Sequence, residues 1–245
     1  DIMDQAPLRR GKQTVHEKWN INTAIISGDV MLVKVYGLFS KLEASKFKMV
    51  AEAFNRCASE VCEGQQWDME FEQKEKVTEA QYINMIKLKT AVLLGFSLEL
   101  GAILADATES DRRSLRDFGT NIGIGFQLKD DLLDAYGDPD KFGKQVGGDI
   151  IANKKTYLLI KALERAKGKT KRELLHWLAA KKFNKRKKVS AVKDIYDLFD
   201  IKHLAEERVS KYFEKGFKDL EKLQADNTAK RILMEFTKNL VRRQS

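Results

Sequence analysis

The sequence predicts an all-α protein, and three observations predict it. Only two prolines, Pro7 and Pro139, occur in 245 residues, so long stretches lack the residue that breaks helices. No Asn-Gly turn joins two alternating apolar runs, so no hairpin is signalled. An apolar fraction of 43% with a charged fraction of 33% suits a packed core carrying many exposed helical faces. The length allows one large domain or two small ones. No fixed repeat, linker or low-complexity tract divides it, so residues 1–245 read as a single helical domain.

Taken in order, Pro7 ends any opening helix near Ala6, and Arg9-Arg10-Gly11-Lys12 forms a basic turn. Asn20 and Asn22 are candidate N-caps for a helix to about Leu42, carried by Ile25, Ile26, Val30, Val33 and Leu38. A second helix spans 44–63, its apolar face built on Phe47, Val50, Phe54 and Val61, and 64–68 continues or kinks it. Thr78-Glu79-Ala80 opens a helix to about Ala105. It is apolar nearly all round at its centre, as a bundle's central helix is, and Lys89 is the oddity there. Ser110 or Asp111 caps the next helix, which ends near Gly137. Asp138-Pro139-Asp140 is a turn, and 141–151 is a glycine-rich loop. Further helices are expected over 153–166, 170–181, 188–199 and 202–241, the last broken near Asp226-Asn227.

The net charge is +9, which favours an anionic partner such as nucleic acid, a membrane surface or a polyanionic small molecule. Much of the excess sits in 181–188 and reads as a solvated inter-helix loop. A nucleic-acid binder should line one helix face with basic residues, whereas here they scatter, so no nucleic-acid partner is expected. Cys57 and Cys62 are five apart and do not share a helix face, so no disulfide is expected. A reducing, cytoplasmic compartment is the default. The nearest approach to a membrane span is 91–105, but Glu99, Gly95 and Gly101 interrupt it. No integral membrane association is expected. His16, His176 and His203 show no metal pattern.

The informative stretch is Gly125-Phe126-Gln127-Leu128-Lys129-Asp130-Asp131-Leu132-Leu133-Asp134. At ~100° per residue, Gln127, Asp130, Asp131 and Asp134 share one arc of roughly 100°, while Leu132, Leu133 and Lys129 point elsewhere. Three clustered carboxylates repel one another, so something cationic should face them. A second acidic pair, Asp1 and Asp4, also has helical spacing. Isolated cations lie beside small residues: Arg9, Arg10, Lys89, Lys144 and Lys154. Two carboxylate clusters facing each other would bind hard divalent cations, which share their shell with phosphate, and the lysines and arginines would take the remaining phosphate charge. The 141–151 loop could add backbone amides and Lys144. Each piece alone has a plainer reading: an Asp-x-x-Asp is more often a solvated face, and a lone lysine snorkels. Their joint occurrence at these spacings is the signal.

Phe126-Gln127-x-x-Asp130-Asp131-x-x-Asp134 resembles the second aspartate-rich motif of the trans-isoprenyl diphosphate synthases, or polyprenyl synthetases. Asp1-Ile2-Met3-Asp4, with Arg9-Arg10-Gly11 after it, resembles the remainder of the first. Lys89-Thr90 resembles the family's Lys-Thr pair. Gln66 and Asp68 resemble its Gly-Gln-x-x-Asp segment at slightly different spacing. Phe142-Gly143-Lys144, Gly147-Gly148-Asp149-Ile150 and Asn153-Lys154-Lys155-Thr156 resemble the loop after the second motif. The matches span 1–156 in the family's order, and 157–245 fits as further helices.

The resemblance implies a helix bundle around a central cavity, of the isoprenoid synthase type. It implies an enzyme that ionises an allylic diphosphate, joins the carbocation to isopentenyl diphosphate and releases pyrophosphate. Three Mg2+ ions would be held by Asp1 and Asp4 on one side and by Asp130, with Asp131 and Asp134 as ligands or supports, on the other. Lys89, Lys144 and Lys154 would hold the allylic diphosphate with help from Arg9. Arg10 would bind isopentenyl diphosphate, and Gln127 and Thr90 would hydrogen-bond near the reacting end. A homodimer is implied as well. The family's leading aspartate, its upstream Gly-x-x-Arg motif and the helices that floor its hydrocarbon tunnel are not in this sequence. Product length is therefore not legible, and the chain by itself is expected to turn over weakly or not at all. Two other readings compete: a non-catalytic regulatory subunit of the same ancestry and a terpene cyclase. The intact second motif and the three lysines argue against the first. Arg10 and the Lys144 loop argue against the second.

Overall fold

The computed structural model of the chain describes residues 1–3, 6–138 and 146–242, with side chains described to 239. Asp4, Lys144 and Gly143 lie outside the described residues. The described residues are almost entirely helical, and they fall into two compact units, Asp1–Asn55 and Arg56–Ser245.

The first unit opens with a minimal hairpin, contrary to the expectation of no strands. Strands β1 (Leu8–Arg9) and β2 (Lys12–Gln13) pair antiparallel, Leu8 opposite Gln13. Arg10 and Gly11 turn the chain at φ 52° and 74°, the positive values that a two-residue turn between twisted strands demands. The basic turn read from the sequence is this turn. After the short α1 (Val15–Lys18), the helix α2 (Ile21–Phe39) starts at Asn20, whose side chain accepts the Thr23 N–H at 2.8 Å. Tyr36, Phe39 and Phe54 pack edge to face, with ring centroids 5.3–5.9 Å apart. The rest of α2 keeps its apolar residues exposed, Val33 and Met31 most of all. Among the described residues this helix, rather than 91–105, is the one long and apolar enough to cross a membrane by length and composition, at mean hydropathy 1.3. The charges at Asp29 and Lys34 hid it from a search for uncharged runs.

The helix α3 (Ala44–Gln73) continues through 64–68, one of the two courses the sequence allows there, and runs on to Gln73. In the second unit, α4 (Glu79–Ile86) begins at a full capping box, Thr78 with Gln81. A π-helical turn over Lys87–Ala91 then separates it from α5 (Val92–Leu104). The sequence predicts one unbroken helix here. The extra residue of a π turn rotates the helix beyond it and commonly occurs at functional sites; here it carries Lys89 and Thr90.

The long helix α6 (Glu109–Tyr136) is the centre of the second unit, packed along α5 on one side and α11 (Ile201–Glu221) on another. Its N-cap is Thr108, slightly earlier than expected. Thr108 Oγ1 accepts the Asp111 N–H, and the Asp111 carboxylate accepts the Gln224 N–H at 2.7 Å. That last bond, with the Thr108 hydroxyl, holds Asp111 below the usual carboxylate range. Between α6 and α11 along the chain come α7 (Gly148–Ile151), α8 (Tyr157–Arg165), α9 (Gly168–Ala179) and α10 (Lys185–Leu198), and α12 (Asn227–Arg242) closes the chain. The break at 226–227 falls where the sequence puts it. Phe118, Ile122, Leu128, Leu158, Ile195 and Phe213 belong to one contiguous apolar core. Close packing of this kind is what fixes helix positions to a fraction of an ångström.

The basic run departs from expectation. It is not wholly a solvated loop: Asn184 caps α10 by accepting the Lys187 N–H at 3.1 Å, and Lys188 is fully buried. Cys57 is buried and Cys62 exposed, both as free thiols.

Candidate active site

Two close backbone approaches put the π turn where it is. A Cβ on Gly64 would lie 2.2 Å from the Lys89 nitrogen, and one on Gly123 would lie 2.6 Å from the Ala91 Cα. Only glycine admits backbone at such distances. Helix α3 and helix α6 therefore clamp the π turn from two sides, and Lys89 and Thr90 are directed into the space between. That space is a cavity of about 220 Å³, lined among others by Asp68, Lys89, Gln127, Asp130, Asp134 and Lys154.

The predicted arc on α6 faces this cavity with all four of its members, Asp131 included. Leu132 and Leu133 are buried elsewhere in the core. A chain of hydrogen bonds orders the arc. Thr90 Oγ1 donates to Gln127 Oε1 at 3.2 Å, and Gln127 Nε2 donates to Asp131 Oδ1 at 3.1 Å. The Tyr82 hydroxyl donates to Asp131 Oδ2. Lys89 Nζ pairs with Asp68 at 2.5 Å, and Lys154 Nζ stands 3.7 Å from Asp149.

The sequence allows the 141–151 loop to bring backbone amides toward phosphate, and residues 141–145 of it lie outside the described residues. Among its described residues, Gly147 N–H donates to the Asp134 carbonyl at 2.6 Å, and Asp149 N–H to Asp134 Oδ2 at 2.9 Å. These bonds dock 147–149 onto the end of α6 and bring Asp149 into the cavity wall.

The carboxylates press on one another. Burial, then the charge of Asp149, pushes Asp131 up to about 8 and Asp134 up to about 6. Burial and Asp131 likewise raise Tyr82. Tyr196 of α10 is raised by burial and by Asp149, Asp134 and Asp131 together. Burial and mutual repulsion thus outweigh the nearby Lys154 charge, which lowers both carboxyls only in part. Its donors are carboxylate, amide and hydroxyl oxygens, the set suited to a hard cation such as Mg2+. Among the described residues no three His, Cys, Asp or Glu side chains close around one metal point. Mg2+ does not require that, because it keeps waters and shares phosphate oxygens. The residues present fit that ion.

Sequence reasoning missed several members. Asp149 and Asp68 appeared only inside motif matches. Tyr82 gave no signal, because a tyrosine on an amphipathic helix looks like core. Gln66 was the wrong glutamine: it lies exposed and bonds Glu70 at 3.2 Å. Its neighbour Gln65 has a buried Nε2 with no partner among the described residues. Gly64-Gln65-x-x-Asp68 is the true register, and Gly64 is the residue touching Lys89. In the first unit, Arg9 donates to Asp1 Oδ1 from Nε at 2.8 Å and from Nη2 at 2.5 Å. Two of the predicted site residues are thus paired with each other.

Solved structures with this arrangement of helices define the class. A crystal structure of a geranylgeranyl pyrophosphate synthase matches at TM-score 0.94 and 43% identity, covering 100% of this chain and 76% of that one. The geranylgeranyl pyrophosphate synthetase of Pyrococcus horikoshii matches at TM-score 0.91 and 34% identity, over 99% of this chain and 74% of that one. The fold is the all-α isoprenoid synthase fold. By sequence, the geranylgeranyl diphosphate synthase of Sulfolobus acidocaldarius is 37% identical over 247 residues, 97% of this chain and 74% of that protein. The polyprenyl synthetase family model matches residues 1–197. The chain belongs to the polyprenyl synthetase family, the trans-isoprenyl diphosphate synthases.

Proposed function

We propose that this isoprenyl diphosphate synthase is a Mg2+-dependent prenyltransferase that condenses an allylic diphosphate with isopentenyl diphosphate, releasing pyrophosphate. The observation that carries the reading is the cavity in which Asp130, Asp131, Asp134 and Asp149 share walls with Lys89 and Lys154. The relatives named as geranylgeranyl diphosphate synthases favour a geranylgeranyl product.

Bound Mg2+ would draw negative charge from the leaving diphosphate, a Lewis-acid role. Asp130, with Asp131 and Asp134 as ligands or supports, would hold it, and the motif resemblance assigns Asp1 and Asp4 a metal-binding role as well. Lys89, Lys154 and Lys144 bind the allylic diphosphate, with Arg9 assisting, and Arg10 takes isopentenyl diphosphate. Asp68 fixes the Lys89 ammonium, so it meets the phosphate already placed and costs little reorganisation. Thr90 and Gln127 form a polar rail to Asp131 at the reacting end. Phe71, Met85 and Ile86 line the same cavity and keep water from the carbocation. No side chain stands out as a base, so the released pyrophosphate takes the final proton.

The working unit is proposed to be a cytoplasmic homodimer, joined through the exposed apolar face of α2. Its residues Asp29 and Lys34 would each cost about 2.5–3.5 kcal/mol at a bilayer centre, which favours a protein partner over lipid. The full-length protein, incubated with labelled isopentenyl diphosphate, an allylic diphosphate and Mg2+, should yield an extractable prenyl product. A folded protein that yields none overturns the reading. Asp130→Ala should lower the rate at least ~100-fold, as loss of a group acting in the transition state does. A change below about threefold would make Asp130 structural.

A further inference from the structure

We propose that Lys188 is a positioning residue for the segment 147–154, setting Asp149 and Lys154 in the cavity without facing it. The proposal rests on the reading of that cavity as the diphosphate site.

Lys188 is 0% exposed. Its Nζ donates to the Asn153 Oδ1 at 2.6 Å and to the Ile151 carbonyl at 3.2 Å, and lies 4.3 Å from the Phe183 ring centroid. Neither acceptor is a carboxylate. A buried ammonium whose acceptors among the described residues are dipoles is costly, and burial lowers its pKa accordingly. An apolar side chain would suit stability better, so the position has another use. Its two acceptors lie between Asp149 and Lys154.

The segment is a closed turn, because Lys154 N–H donates to the Asp149 carbonyl at 3.0 Å. Displacing residues 151 and 153 therefore displaces both cavity side chains. Asn153 sits at φ 56° and passes the anchorage on, its Nδ2 donating to the Leu178 carbonyl at 3.0 Å. The next residue on α10 holds the other end: a Cβ on Gly147 would meet Val189 Cγ2 at 2.7 Å. Two successive residues of α10 thus grip both ends of the segment, while Asp134 grips it from α6.

The test uses inorganic pyrophosphate with Mg2+ as probe, titrated calorimetrically, and hydrogen exchange at amides 147–156. Lys188→Met keeps the packing and removes the donor. It should weaken pyrophosphate binding about tenfold, as removal of a positioning partner does. Exchange should rise in 147–156 and not elsewhere, and Lys188→Arg should recover some of the loss. Lys154→Ala should weaken binding strongly, and in that background Lys188→Met should add less than about twofold. If Lys188→Met does not fold, Asn153→Gly removes the acceptor from the loop side at a φ glycine tolerates, and should act in the same direction. Wild-type affinity in a folded Lys188→Met protein, or a fully additive loss with Lys154→Ala, overturns the proposal alone. Unchanged binding in Lys154→Ala overturns the diphosphate reading, and the proposal with it.

Discussion

Asp131 shows what a charged residue means inside this protein. It is 7% exposed, it accepts from Tyr82 and Gln127, and it shares its surroundings with Asp134 and Asp149. In the ligand-free protein, burial raises its pKa to about 8 and that of Asp134 to about 6. A carboxyl whose folded pKa lies above its unfolded value adds stability below the unfolded value. That stability is lost as pH rises through the folded value. The ligand-free protein should therefore lose stability between pH about 4 and about 8 through these two groups. Asp131→Asn removes the upper portion of that loss. Thermal melts across this range should show the variant gaining on the wild type as pH rises, and parallel curves would sink the assignment. Asp131 could be picked out from sequence because its helical spacing put it beside two other aspartates. Tyr82, which donates to it, could not, because a contact between residues 49 apart has no local pattern.

At the scale of elements, the π turn at Lys87–Ala91 and the segment 147–154 do the placing. A helix was legible on both sides of Lys89, since apolar periodicity and the Thr78 cap are local. The π turn was not, because it answers to backbone pressed against it by Gly64 and Gly123. Gly64→Ala tests this directly. Its Cβ would lie 2.2 Å from the Lys89 nitrogen and 2.7 Å from the Leu88 carbonyl carbon. Overpacking of this kind costs about 1–3 kcal/mol. A shift of about an ångström at Lys89 should lower kcat/KM on the order of 100-fold. Steady-state kinetics with denaturant melts separate the two effects. Normal kinetics in a stable variant would show that the π turn does not position Lys89. The basic run at 181–188 teaches the same lesson: eight residues rich in charge read as solvated, yet the helix they open carries Lys188 inward.

For the whole molecule, the apolar face of α2 is the largest statement still open to experiment. Ile26, Met31, Val33 and Leu38 are each more than 60% exposed, and clustered exposed apolar side chains of this size mark interaction sites. Sedimentation of the wild type should give a dimer, and Val33→Glu should shift it to monomer, because a buried unpaired charge is expensive at an interface. A wild-type monomer would overturn the homodimer, and a dimer indifferent to Val33→Glu would move the contact away from α2.

The sequence by itself determined the all-α class, most helix positions and the family. Those rest on local rules: helical periodicity, caps such as Asn20 and Thr78, and short motifs such as Asp130-Asp131-x-x-Asp134. Tertiary structure alone decided which polar residues meet. It paired Lys89 with Asp68 and Tyr82 with Asp131, drew Asp149 to the wall by its amide bond to Asp134, and buried Lys188 behind the loop. Each of those depends on separate segments packing closely together, and side-chain spacing along one helix carries no record of what the neighbouring helix will bring.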